Sequence, residues 1–379
     1  MHRLALVHGR VMGHHGPREG LAVVIEGERI VGIFDEEAPE IRDLARHDLQ
    51  GRLLLPGFID VQVNGGGGLL FNDNPDPETL RGIARAHRRF GTTAMLPTLI
   101  TDTQATMEVA IAAVDEAIAA GVPGILGIHL EGPFLATQRR GIHNAELFRL
   151  PDARDYALLA KAHRGVTMLT LAPERVGLDA IAHLAGSGVI LAAGHTAADH
   201  ATIRAALDAG IVGFTHLFNA MTPLNSREPG VVGAALDDPD SWCGIIVDGH
   251  HVAPASLRVA IAAKPRGKMV LVTDAMPPVG SDQPSFKLNG QTITARDGIC
   301  QNENGTLAGS ALDMASAVRN TVRWLGLPLA EASRMASEYP ARWLGLSRSH
   351  GRIAAGYRAD FAVLDDELHV VETWIGGQP

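Results

Sequence analysis

Cysteine is nearly absent: the chain has two, Cys243 and Cys300, with no C-x-x-C spacing. That excludes a disulfide scaffold and a thiolate zinc site, and it suits a reduced cytoplasmic setting. Positive charge is also short. The formal net charge of −9 at pH 7 argues against a general nucleic-acid binder, because phosphate backbones need clustered Lys and Arg. An anionic ligand would have to be met by a few local cations and backbone amides rather than by the overall field. Long apolar runs are missing too. None approaches the roughly 18 residues that a membrane helix needs, and the opening stretch from Met1 to Arg10 is too poor in apolar residues to read as a signal peptide. The expectation is a soluble cytoplasmic protein with neither nucleic acid nor membrane as partner.

What is present is 379 residues rich in Gly and Ala, enough for a large core and compatible with two or three domains. Residues 1–52 alternate apolar and polar positions around Gly turns, most clearly from Leu21 to Ile33, where Gly27 breaks a hairpin. The same style returns at Ala359–Leu364 and His369–Ile375. These ends predict a small β-sandwich domain built from both chain termini, residues 1–52 plus 353–379. His2, His8, His14, His15, His47 and His369 fall there and read as solvated.

The middle, residues 53–352, reads β then α repeatedly. Apolar strand-length runs fall at Leu53–Val63, Thr93–Leu99, Ile125–Leu130, Thr167–Leu171, Val189–Ala193, Val212–His216, Gly244–Val247 and Met269–Thr273. Helical stretches follow most of them, such as Ala197–Gly210, where Ile203, Ala206 and Leu207 share a face and Gly210 stops the helix. Eight such units predict the α/β class and a (β/α)8 TIM-type barrel, whose site forms at the C-terminal strand ends. A doubly wound open sheet is the alternative, and the polar residues at so many strand ends favour closure. The polar stretch Ser281–Gly305 reads as a hairpin inserted after the eighth strand. Ser310 reads as the start of a helix over Ala311–Leu325, and Cys243 as a buried strand residue.

Those strand ends carry the chemistry. Glu131 closes one strand just before Gly132-Pro133, His195 and His216 close two others, and Asp274 closes the last. His195 and His216 are separated by one compact strand–helix–strand unit, and neighbouring strands lie roughly 4.8 Å apart, so both can reach one metal. Glu131 would complete a His2Glu set with a position left for water. A metal there would lower the pKa of that water from about 15.7 to about 7. Asp274 could then take its proton and return it to a leaving amine. For any one of these residues, bonding to a nearby loop is the plain alternative; three together on strand ends weigh against it. His143, beside Asn144 in an Arg-containing loop, could bring a donor over a substrate carbonyl. The Asp248-Gly-His-His251 run ends the seventh strand, and Arg227 in an exposed loop could clamp an anion. The Gly65–Gly68 run after Asn64 lacks the Walker lysine and the dinucleotide spacing, and reads as a turn.

These residues resemble the amidohydrolase superfamily and, within it, the N-acetylglucosamine-6-phosphate deacetylases. The resemblance runs over essentially the whole chain. It is carried by Pro56-Gly-Phe-Ile-Asp60, His129-Leu-Glu-Gly-Pro133, Gly194-His-Thr196, Thr215-His-Leu-Phe-Asn-Ala-Met221, Asp248-Gly-His-His-Val252, Val272-Thr-Asp-Ala275, Leu307-Ala-Gly-Ser310 and Gly356-Tyr-Arg-Ala-Asp360. It implies metal-dependent hydrolysis of the N-acetyl group of N-acetylglucosamine 6-phosphate. Glu131, His195 and His216 would hold one divalent ion per subunit, zinc first, with iron, cobalt or manganese acceptable to such a set. Asp274 would be the acid/base, and His143 would polarise the acetyl carbonyl. The backbone at Asn219 and Ala220, with His251, would hold the phosphate. Asn144 and Gln62 would face the substrate. Arg227 resembles an arginine that reaches the phosphate from a neighbouring subunit, which implies a homodimer. Many superfamily members carry His-x-His where this chain has Gln62-Val63-Asn64. Neutral amides replace imidazoles poorly as ligands, so one tight metal is expected rather than two, with Gln62 available to order the reactive water. The alternatives are a deacetylase of the galactosamine epimer or another N-acyl amino sugar, a dihydroorotase-like cyclic amidohydrolase, and a barrel that has lost catalysis.

Overall fold

A computed structural model describes residues 3–160 and 163–379; His2 lies outside them. Eight strands run parallel in chain order: β1 (Phe58–Val63), β2 (Thr92–Ile100), β3 (Gly127–Glu131), β4 (Val166–Leu171), β5 (Ile190–Ala193), β6 (Ile211–Phe214), β7 (Trp242–Ile245) and β8 (Met269–Leu271). Each pairs with the next. Closure comes just beyond β8: Val63 bridges Ala275 in parallel, and the Asp274 N–H donates to the Gln62 carbonyl at 3.0 Å. The expected barrel is therefore closed rather than an open doubly wound sheet. Its strands are near-continuous apolar runs because helices cover the outside while side chains fill the inside.

Helices follow the strands, started by local chemistry. Asp76 caps Pro77–Arg88 through the Thr79 N–H, and Asp199 caps His200–Ala209, which buries Ile203 and Ala206 and stops at Gly210. The helix after β8 is Met314–Leu325, and Asp313 caps it. Ser310 therefore does not start that helix. It ends a strand, and its hydroxyl donates to the Thr273 carbonyl at 2.6 Å.

The first expected run, Leu53–Val63, is two strands rather than one. Leu53–Pro56 pairs with Arg10–Met12 and Phe361–Leu364 in a five-stranded sheet made from both termini. Only Phe58–Val63 enters the barrel. The break is at Gly57, where a Cβ would lie 2.1 Å from Thr93 Oγ1; unbroken apolar character in the sequence hides this change of partner. A four-stranded sheet of Arg3–Val7, Leu21–Glu26, Arg29–Asp35 and Ala45–Asp48 packs against the first through Leu6, Val23, Ile25, Leu54, Phe361 and Trp374. The two faces make a small sandwich. Among its histidines, His8, His14, His15 and His369 are exposed. His47 is half-buried instead, 2.9 Å from the Glu372 carboxylate and edge-on to Trp374. The insert after β8 is larger than a hairpin: Ser285–Leu288, Gln291–Arg296, Ile299–Asn302 and Leu307–Ser310 form a four-stranded antiparallel sheet. Its last strand returns to the barrel mouth, where Ser310 bridges Ala275. Cys243 is buried in β7, as expected.

Candidate active site

The C-terminal ends of the strands converge on a cavity of about 290 Å³ lined by Glu131, His143, His195, His216, His251 and Asp274, with Asn64, Asn219, Ala220 and several apolar side chains. Glu131 is the last residue of β3. His195, His216 and Asp274 lie two or three residues past their strands, and all three adopt left-handed backbone with φ of 49°, 34° and 53°. A side chain in that region costs roughly 1–3 kcal/mol, so the surrounding hydrogen bonds must hold it. They do: Ala136 N–H donates to the His195 carbonyl at 2.9 Å, Leu217 N–H to Gly244 at 2.8 Å, and Ser310 N–H to the Asp274 carbonyl at 2.9 Å. The turn out of each strand aims the next polar side chain into the mouth.

Three donor atoms meet there. His195 Nε2 and His216 Nε2 lie 3.1 and 2.9 Å from the same Glu131 oxygen and 3.1 Å from each other. The His195 Nδ1–H donates to the Arg139 carbonyl at 2.8 Å, which leaves a lone pair on Nε2. A lone pair facing a carboxylate oxygen and a second imidazole is repulsive unless a cation or proton lies among them. The donor set therefore fits a divalent metal, and these are the residues whose ligand atoms cluster within 4.8 Å. Burial alone would raise the Glu131 carboxyl, but the hydrogen bonds and charge of the two histidines hold it well below the usual range. Burial likewise opposes charge on His216, and the Glu131 carboxylate outweighs it, raising that imidazole. Below this trident His129 spans the barrel interior, within 2.8 Å of the Thr170 hydroxyl and 3.0 Å of the Val61 carbonyl. Burial pushes it down to about 4, so it is a neutral tie between strands.

Asp274 lies beside the trident, joined to it through Gln62. Its Oδ1 accepts from Asn64 Nδ2 at 2.6 Å and from Gln62 Nε2 at 3.1 Å. Burial, with the nearby Glu131 charge, pushes its carboxyl up to about 6. Two amides clamp Oδ1, so Oδ2 is the oxygen open to a proton. Gln62 also donates to Glu131 Oε2 at 3.3 Å. Its amide is committed to bridging the two carboxylates. His143 is 2.8 Å from the Thr101 hydroxyl through Nδ1, which also faces the Thr101 N–H at 3.4 Å. An Nδ1 that accepts puts the proton on Nε2. Burial, then the neighbouring His195, push His143 down to about 3, so it is a neutral donor at ordinary pH.

The remaining expected residues divide. Asn219, Ala220 and His251 line the cavity, and the His251 Nδ1–H donates to Asp248 at 2.6 Å, leaving Nε2 free. Ala220 is held with φ of 52°, its carbonyl accepting from Thr196 N–H at 3.1 Å. Asn144 does not line the cavity; its oxygen caps the short helix Ala145–Leu147 through the Glu146 N–H. Arg227 is exposed in the loop after Thr222 and does not line its own chain's cavity. Thr101 and the clamping role of Asn64 were missed by sequence reasoning. Asn64 was accessible to it, because Asp60, Gln62 and Asn64 alternate along one strand and so share a face. Thr101 carries no local signal.

Fold and site together define a barrel hydrolase with a metal-type donor set at its mouth. The chain belongs to the amidohydrolase family, whose model matches residues 53–379. It is 47% identical over 336 residues to an N-acetylgalactosamine-6-phosphate deacetylase of Shewanella sp. (strain ANA-3), covering 89% of this chain and 85% of that one. It is 35% identical over 381 residues to an N-acetylglucosamine-6-phosphate deacetylase of Haemophilus influenzae, covering 99% of each. Among solved structures it is similar to N-acetylglucosamine-6-phosphate deacetylase from Pasteurella multocida, with a TM-score of 0.95, 35% identity and 99% of each chain covered. No helix among the described residues is long and apolar enough to cross a membrane.

Proposed function

We infer that this chain hydrolyses the N-acetyl group of N-acetylglucosamine 6-phosphate, releasing acetate and glucosamine 6-phosphate. The observation that carries the reading is one cavity in which a His2Glu donor set faces a clamped, buried Asp274 and a neutral His143. A single divalent ion, zinc first, held by Glu131, His195 and His216 would supply Lewis acidity and lower the pKa of water. The His143 Nε2–H donates to the acyl oxygen as negative charge builds there. Asp274 Oδ2 takes a proton from the attacking water and delivers it to the amine nitrogen as the C–N bond breaks. Gln62 and Asn64 hold Asp274 in place throughout. The backbone at Asn219 and Ala220, with His251, receives the sugar phosphate, and Arg227 reaches the site of a neighbouring subunit in a cytoplasmic homodimer.

A second reading is the galactosamine epimer, favoured by the 47% identity to a deacetylase of that sugar. Acetate release by purified protein on both epimers and on unphosphorylated N-acetylglucosamine, with metal content measured alongside, tests both. Turnover of the glucosamine form first, with about one metal per chain, supports the reading; preference for the other epimer transfers it. Release from neither phosphorylated sugar overturns both.

A further inference from the structure

The cavity has a wall that the hydrolytic residues do not use. Ile100, Ile142 and Met276 line it beside the polar groups. Ile100 is the cross-strand partner of Glu131, Ile142 precedes His143, and Met276 lies two residues beyond Asp274. The apolar patch therefore flanks three groups of the proposed reaction centre, Glu131, His143 and Asp274. A hexosamine phosphate presents hydroxyls and phosphate almost everywhere else, and its acyl tail is the one alkyl group such a wall can receive.

The wall is also backed. Ile100 and Met276, 3% and 1% exposed, pack with Leu70, Leu288, Ile293 and Cys300 against the inserted sheet. Asn289 of that sheet donates to the Ile142 carbonyl at 3.1 Å. Gly309, at φ of 58°, gives Met276 its place: a Cβ there would lie 2.7 Å from Met276 Cγ. A side chain packed on every side but the one facing the cavity cannot retreat to admit a longer tail without unpacking its neighbours.

We propose that Ile100, Ile142 and Met276 form the acyl subsite and restrict the enzyme to short acyl groups, acetyl above all. The proposal rests on the deacetylase reading. The test is kcat/KM for the N-acetyl, N-propionyl and N-butyryl forms of the preferred hexosamine 6-phosphate, in the wild type, Met276→Ala and Ile142→Ala. An extra methylene against a filled pocket is worth roughly 10–200-fold, so the wild type should prefer acetyl over propionyl by that factor. Either variant should shrink the preference at least about tenfold. The ratio cancels any loss common to both substrates, and Ile142→Ala, at a half-buried loop position, serves if Met276→Ala does not fold. A wild type that takes butyryl as readily as acetyl, or variants that release acetate with the ratio unmoved, overturn the subsite alone. A wild type that releases no acyl group from any of them overturns the deacetylase reading as well.

Discussion

Asp60 is fully buried in β1, where its carboxyl is pushed from 3.8 to about 7 by burial, against the hydrogen bonds it accepts from Thr273 and the Gln62 N–H. It accepts the Thr273 hydroxyl on one oxygen and two backbone N–H groups on the other. A carboxyl whose folded pKa lies above its unfolded value favours folding while protonated. That stability is complete below about 3.8 and is lost as pH rises through about 7. Roughly two of the three pH units between these values fall from pH 5 to pH 8, so the loss over that window is about 2.6 kcal/mol at 1.36 kcal/mol per unit. Asp60→Asn keeps the shape and removes the titration: the Thr273 hydroxyl can turn to accept from the new amide and face the Gln62 carbonyl, 3.5 Å away. Urea unfolding of both proteins at pH 5 and pH 8 in fixed saturating metal gives the double difference. Metal-linked and histidine-linked terms, common to both proteins, cancel in it. The wild type should lose about 2–3 kcal/mol more than the variant. Parallel losses, within about 0.5 kcal/mol, would mean that Thr273 and the backbone donors keep Asp60 ionised throughout, and the argument from burial would fail.

Other substitutions separate the roles in the site. Asp274→Asn should lower kcat by roughly 10²–10⁴-fold, the usual worth of a general acid–base, while metal analysis still finds the ion; near-wild-type turnover removes Asp274 from proton transfer. His143→Ala should cost roughly 10²–10³-fold in kcat with little change in KM, as expected for a donor acting on the transition state; a change confined to KM would make it a binding residue. Arg227→Ala should raise KM for the 6-phosphate far more than for the unphosphorylated sugar, and equal effects on both would sink its phosphate role.

The convergence of Glu131, His195 and His216 at the barrel mouth was legible in the sequence because each interrupts an apolar run at the point where a barrel strand must end. A carboxylate or imidazole there has few structural uses. Asp274 was legible for the same reason. What escaped depends on partners remote in the chain. Thr101 orients His143 from the end of the neighbouring strand, and nothing near Thr101 announces it. The amides of Gln62 and Asn64 read as weak ligands, whereas in the structure they are donors committed to carboxylates, a role set by where Asp274 arrives. The apolar continuity of Leu53–Val63 concealed a change of sheet that only the packing of Gly57 on Thr93 reveals. Asn144 was of the right residue type in the right loop, yet its oxygen is taken by a helix cap.

The strand Leu53–Pro56 has a neighbour on each side, and those neighbours are made at very different times. Arg10–Met12 leaves the ribosome before it, whereas Phe361–Leu364 follows only after the whole barrel. While the barrel is being made one edge of that strand therefore stays open, directly upstream of the first barrel strand. An unpaired edge of apolar sequence invites pairing with another chain. The sandwich acts as a late clasp: truncation near residue 360 would leave Glu131, His195 and His216 in the sequence and still release the anchor of the strand that carries Gln62.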